Sequence, residues 1–116
     1  MKRLAAAMLL VGCVTPALAD IAWVRAATVQ RTLIQENVFG NCMILVNKPI
    51  ADAGLSCPSR WISFSCDGTF SSKANAQNML DSAQMAFALN KKVHLKIDDS
   101  KKHNGYCVAI RFDVSN

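Results

Sequence analysis

One stretch of helical periodicity, in a chain that otherwise alternates with period two, sets the tightest limit on what this sequence can fold into. From about Lys73 to Leu89, the residues Ala76, Met79, Leu80, Ala83 and Phe87 recur at i, i+3, i+4, i+7, with Ala86 at the edge of the stripe. Asn75, Asn78, Asp81 and Ser82 occupy the rest of the surface. Ser71 or Ser72 can cap the start by accepting a first-turn amide, and Asn90 suits a left-handed end. One helix cannot cover both faces of a sheet, but it can plug one end or one face of a curled one. If the Phe87 ring is fully buried by this stripe, Phe87→Ala would cost about 3–5 kcal/mol.

The remainder reads as strands. "ATVQRTLIQENV", residues 27–38, mixes β-branched and polar side chains and suits a long, partly exposed strand. "FGN", residues 39–41, reads as a turn, and the more apolar Cys42–Lys48 as a buried strand. Pro49, Gly54 and Pro58 make residues 49–60 a loop, with a short strand expected around Leu55. In "WISFSC", residues 61–66, Ile62, Phe64 and Cys66 share a face. After the helix, Val93, Leu95 and Ile97 alternate against His94, Lys96 and Asp98. "DSKKHNG" reads as a turn whose Asn104-Gly105 supplies positive φ, and Tyr106, Val108, Ile110, Phe112 and Val114 form one face of the returning strand. The pattern predicts an α+β, mostly β domain: a five-stranded antiparallel barrel or curled sheet with one helix over about 73–89.

The first residues read as a leader. Lys2 and Arg3 precede the apolar run Leu4–Val14, which is too short to span a bilayer, and Ala17-Leu18-Ala19 offers a cleavage site before Asp20. "LVGC", ending at Cys13, is a rival lipoprotein site. Both readings export the chain to the periplasm or beyond and leave one domain, residues 20–116, with no membrane span. Losing Lys2 and Arg3 removes two charges from a net +5, too little excess to argue for a nucleic-acid partner. Lys91, Lys92, Lys96, Lys101 and Lys102 crowd together, and a solvated rim balanced by Asp98 and Asp99 is preferred to an anion patch.

Four cysteines remain after Asp20: Cys42, Cys57, Cys66 and Cys107. An even count in an exported domain reads as two disulfides, with three pairings open. No C-x-x-C is present, and neither His94 nor His103 neighbours a cysteine pair, so no metal or other cofactor is expected. Disulfide-bonded cysteines cannot serve as nucleophiles. His94 reads as a rim histidine, Asp98-Asp99 as turn residues, and Trp61 as a core or seam residue ahead of a sugar-stacking platform. A binding module is therefore expected rather than an enzyme. The polar strand Thr28–Glu36 offers an edge that a second copy could pair with.

Cys42, Cys57, Trp61, Leu80-Asp81-Ser82-Ala83, Asn90 and "KVHLKI" follow one another in an order that resembles the B subunits of AB5 toxins of the subtilase-cytotoxin and typhoid-toxin kind, over residues 42–97. The resemblance implies an oligonucleotide/oligosaccharide-binding (OB) barrel, a homo-oligomeric ring of five, a host glycan as ligand and an exported catalytic A subunit as partner. It also implies Cys42–Cys57 as one bridge, which leaves Cys66–Cys107 as the other. This chain is shorter than those subunits, lacks their extended C-terminal region, and has no counterpart to their sugar-binding serine and tyrosines. Polar residues near the second strand and the last hairpin, Asn47, Lys48, Lys96 and His103, are the ligand-contact candidates. The alternative is an exported inhibitor or interaction protein whose loops, residues 49–60 or 98–105, enter a protein partner.

Overall fold

The computed structural model describes Gly12 and residues 20–116; the expected leader, with its cleavage and lipidation sites, otherwise lies outside the described residues. Six strands and one long helix follow in order: β1 (Ile21–Ala27), β2 (Val29–Ile34), β3 (Cys42–Val46), β4 (Trp61–Ser63), α1 (Lys73–Leu89), β5 (Lys92–His103) and β6 (Tyr106–Ser115). They form one sheet in the order β1-β5-β6-β4-β3-β2. Two expectations need correction. There are six strands instead of five, and the sheet is mixed, because β4 runs parallel to β6 through Ser63 and Val108. The sheet is curled and not closed into a barrel.

The extra strand comes from a bend. β1 and β2 sit at opposite ends of the sheet, yet only Thr28 separates them. Counted as one bent strand, residues 21–34 pair with β5 through the first half and with β3 through the second. The order then becomes a five-stranded one, compatible with the OB topology that the toxin-B resemblance implies, with the helix between the third and fourth strands. The bend is made by bulges on both sides of Thr28, one between Val24 and Ala27 and one between Val29 and Arg31. Ala26 takes φ 51° within the first. Two distant side chains satisfy the amides that the bend frees. His94 Nδ1 accepts from the Ala26 N–H at 3.1 Å, and Asn47 Oδ1 accepts from the Thr28 N–H at 2.9 Å.

α1 starts at Ser72, whose hydroxyl accepts from the Asn75 N–H, and ends at Asn90 with φ 51°. Its buried residues are Ala76, Met79, Leu80, Ala83 and Ala86. Phe87 is 50 % exposed, so the expected burial of its ring is corrected. Three alanines on the buried side let the helix backbone approach the sheet closely, which turns the large ring out. The inner face of the sheet supplies Val24, Ile44, Val46, Ile62, Phe64, Leu95 and Ile97 to the same core.

The hairpin β5–β6 also departs from simple alternation. Lys96 pairs with Arg111 and Ile97 with Ala109, so Ile110 is an extra residue. It switches faces: Cys107 and Ala109 belong to the core, and beyond the bulge Phe112 and Val114 pack on it instead. On β5, residues 99–101 form an excursion, and the turn proper is only Asn104-Gly105 at φ 51° and 85°. Asp99 in that excursion accepts the backbone N–H of Asp20 at 2.8 Å and of Ser56 at 3.0 Å. The segment around Leu55 is not a strand; a short 3-10 helix, Ile50–Ala53, precedes it.

The disulfides are Cys42–Cys66 and Cys57–Cys107. This overturns the pairing implied by the resemblance. Met43 lies opposite Ser63, so the start of β3 adjoins the chain leaving β4. A left-handed turn at Ser65 (φ 58°) then brings Cys66 back to Cys42. Cys57 faces β6, where the Cys107 sulfur also lies 3.7 Å from the Ser56 carbonyl. Two such bridges are consistent with an extracellular or periplasmic protein. Among the described residues no helix is long and apolar enough to cross a membrane.

Candidate functional site

The outward face of β2, β3, β4 and β6 carries a second apolar cluster, separate from the core. Leu33 lies opposite Met43, Met43 opposite Ser63, and Trp61 opposite Leu45. Leu33, Phe39, Met43, Trp61 and Tyr106 line a pocket of 150 Å³. Pockets that enclose a drug-sized ligand hold roughly 300–1,000 Å³. A ligand here would therefore lie against the face with one group seated. Trp61 is half-buried on this outward side, so it is not a member of the core. The Arg31 guanidinium carbon sits 5.4 Å from the Trp61 ring centroid, at a distance suited to cation–π attraction.

The rim is built with strain. Phe39, Gly40 and Asn41 take φ 59°, 68° and 70° in succession. Such values are unfavourable for a bulky residue like phenylalanine, and they persist only where the surroundings impose them. Here both backbone groups of Phe39 are held. Its N–H donates to Asn104 Oδ1 at 2.8 Å, and its carbonyl accepts from the Ser63 hydroxyl at 2.7 Å. The Phe39 ring meets Tyr106 edge-on at 5.5 Å. The loop after β2 and the β5–β6 turn thus converge over β3 and β4. In OB folds this face and these two loops are where oligosaccharides and oligonucleotides bind.

Beside the pocket, Ser65, Asp67 and His103 come together. The Ser65 hydroxyl is 2.9 Å from His103 Nε2 and 3.1 Å from Asp67 Oδ1, and Asp67 Oδ1 is 3.6 Å from the same Nε2. An acyl-transfer triad needs serine and carboxylate on opposite ring nitrogens. Here both face one nitrogen, Ser65 is fully buried, and its oxygen already accepts the Phe70 N–H at 2.9 Å. This geometry makes a polar lock between the exit of β4 and the end of β5, not a nucleophile. His103 is wedged under Gly40, where an added Cβ would lie 2.6 Å from the imidazole Cδ2. Gly40→Ala combines that clash with a left-handed backbone and should destabilise the fold by about 2–4 kcal/mol, read from urea midpoints.

Burial pushes the Asp67 carboxyl up. The backbone N–H and hydroxyl of Thr69, the Ser65 hydroxyl and the His103 charge push it further down, below its ordinary 3.8. A depressed carboxylate stabilises the folded state above its unfolded pKa, and that contribution is lost as pH falls through the folded value. Asp67→Asn should therefore flatten the decline in stability below pH 3.8, measured as urea midpoints between about pH 2 and pH 5.

The four expected contact residues do not form one site: Lys48 and Lys96 both flank Trp23, while Asn47 and His103 have separate structural partners. Asn47 holds the strand bend. Lys48 donates to the Arg25 carbonyl at 2.7 Å. Lys96 lies between Trp23 and Arg111 on the outward face of β5. His103 belongs to the polar lock. Nothing local in the sequence marks Tyr106, Leu33 or Arg31 as contact residues, and the one local signal for Phe39 is an aromatic placed directly before Gly40 in a turn. No known protein family, no curated protein and no solved structure matches this chain.

Proposed function

We propose that this protein is an exported, non-catalytic binding module that holds a saccharide against the Trp61, Tyr106 and Phe39 face of its OB-like sheet. The observation behind this reading is the strained Phe39 turn, fixed through both of its backbone groups and presenting an aromatic rim on the face that OB folds use for ligands. A fixed rim lowers the ordering cost of binding. Aromatic rings with one polar neighbour, Arg31, offer a stacking surface and a directional contact to a hydroxylated ring. Export with cleavage before Asp20 belongs to the same reading. It would turn the Asp20 nitrogen, 2.8 Å from Asp99 Oδ1, into a charged amine held by that carboxylate. The ring of five copies and the exported catalytic partner implied by the toxin-B resemblance are further proposals, and light scattering of the oxidised protein on a sizing column tests the first of them.

The direct test is a glycan array followed by titration of the best binder. Trp61→Ala should weaken that binding by about 2 kcal/mol or more, roughly thirtyfold, with the fold intact by circular dichroism. An empty array, or equal affinity in Trp61→Ala, removes the saccharide reading and leaves the alternative of a protein partner.

A further inference from the structure

We propose a second, anion-accepting site on the outward face of β1, β5 and β6, built around Trp23, which takes a sulfate or phosphate ester carried on a saccharide. It rests on observations independent of the Trp61 pocket. In the sheet order, Trp23 on β1 and Trp61 on β4 are three strand spacings apart and also offset along the strands.

Trp23, Lys96 and Arg111 are successive partners across three strands, and Arg25 follows two residues along β1. The guanidinium carbons of Arg25 and Arg111 lie 4.6 and 5.0 Å from the Trp23 ring centroid. Each is attracted to the indole face, but the ring neutralises neither, and the two like charges repel. Arg111 is compensated by a two-point bond to Asp113 at 2.9 and 3.0 Å. Among the described residues, Arg25, Lys48 and Lys96 have no carboxylate partner. The Lys48 ammonium is tethered to the Arg25 carbonyl, which keeps a further cation beside the indole. On the Arg25 and Lys48 side of the indole opens a cleft of 290 Å³ whose walls include Trp23, Arg25, Lys48, Pro49 and Asp52, with Lys96 and Arg111 on the neighbouring strands outside it.

What sets this patch apart is that two arginines stack on one ring with two lysines beside it, so that four cations gather around a single indole against the carboxylates of Asp113 and Asp52. A stacked guanidinium keeps its N–H edge available for an oxyanion, and a lysine ammonium adds a point charge. Arg25 and Lys48 on the cleft wall, with Lys96 on the adjoining strand, present more donors than one bidentate carboxylate needs and suit a tetrahedral ester with several oxygens. The other walls select what carries that ester. The indole offers a flat apolar surface for a sugar ring, and Asp52 can accept a hydroxyl. Asp52 and Asp113 would oppose a continuous phosphodiester chain, so the fit is to a single ester on a hydroxylated carrier and not to nucleic acid.

The two tryptophans let the two sites be read separately by NMR, through their indole N–H signals. The probes are glucose 6-sulfate, glucose 6-phosphate, glucose and sodium sulfate, each titrated into the oxidised protein. One or both esters should shift the Trp23 signal, and the tighter ester identifies the source of the anion. Glucose and sodium sulfate at the same concentration should shift it little. Arg25→Gln and Lys48→Gln should each weaken the response by about tenfold, the equivalent of one lost charged hydrogen bond. Lys73→Gln, which removes one charge from α1, should leave it unchanged. No Trp23 response, an equal response to sodium sulfate, or an equal loss in Lys73→Gln overturns the proposal. A response confined to Trp61 also overturns it while leaving the Trp61 pocket standing, and the converse pattern separates the two the other way.

Discussion

Replacing Cys57 and Cys107 by serine together should lower stability by about 4 kcal/mol, and replacing Cys42 and Cys66 by about 3 kcal/mol. The difference follows from the closed loops, 50 residues apart in one bridge and 24 in the other, because a longer loop leaves the unfolded chain more freedom once the bond is gone. For a domain of this size that corresponds to a fall in Tm of about 15–30 °C for the longer loop. Non-additivity identifies the partners. Cys57→Ser, Cys107→Ser and their double variant should unfold at nearly the same temperature, since each breaks one bond. Cys57→Ser with Cys66→Ser should lose about the sum, roughly 7 kcal/mol, a large part of the 5–15 kcal/mol typical of a domain. Calorimetry on the oxidised variants checks this. If instead Cys66→Ser and Cys107→Ser behave as one lesion, the bridges are those implied by the toxin-B resemblance.

The pairing shows where local sequence signals stop. An even cysteine count identifies two bridges, but their partners depend on which strands adjoin, and that depends on bends. The bend between β1 and β2 contains no glycine or proline. Ala26 holds φ 51° because His94, 68 residues away, accepts its amide, and Asn47 does the same for Thr28. Nothing within a few residues of Ala26 announces this, so the sequence alone does not join residues 21–26 to the strand that follows. The bulge at Ile110 hides in the same way: an unbroken alternation from Tyr106 to Val114 predicts one face, and the extra residue divides it between two. By contrast the helix, its Ser72 cap, its Asn90 end and the Asn104-Gly105 turn depend on neighbours in sequence and were legible.

The candidate sites were legible only in fragments for the same reason. Trp61 alone reads as a seam residue; it becomes part of a ligand face when the Phe39 turn and Tyr106 are folded over it. Lys48 and Lys96 are unremarkable lysines until the sheet sets them around Trp23. An OB-like topology does not assign a ligand by itself, and function has to be argued from such juxtapositions.

The second large effect expected is a contrast between two phenylalanines. Phe64 is fully buried just beyond β4, with its ring edge-on to Phe112 at 5.6 Å, in the core shared by sheet and helix. Phe64→Ala should cost about 3–5 kcal/mol, the transfer free energy of the ring plus the cavity left between packed strands. The neighbouring disulfide Cys42–Cys66 restrains collapse into that cavity, which favours the upper part of the range. Phe87 is half exposed, and truncating it opens no enclosed void. Its loss should be about 1 kcal/mol, near half the value of a fully buried ring. Both single variants, unfolded in urea beside the parent, make the measurement. Equal losses would mean that α1 is seated with Phe87 inward, as its bare periodicity suggests. A loss confined to Phe64 means that the three alanines set the seat of the helix, and that tertiary packing, more than the width of the apolar stripe, decides which face turns in.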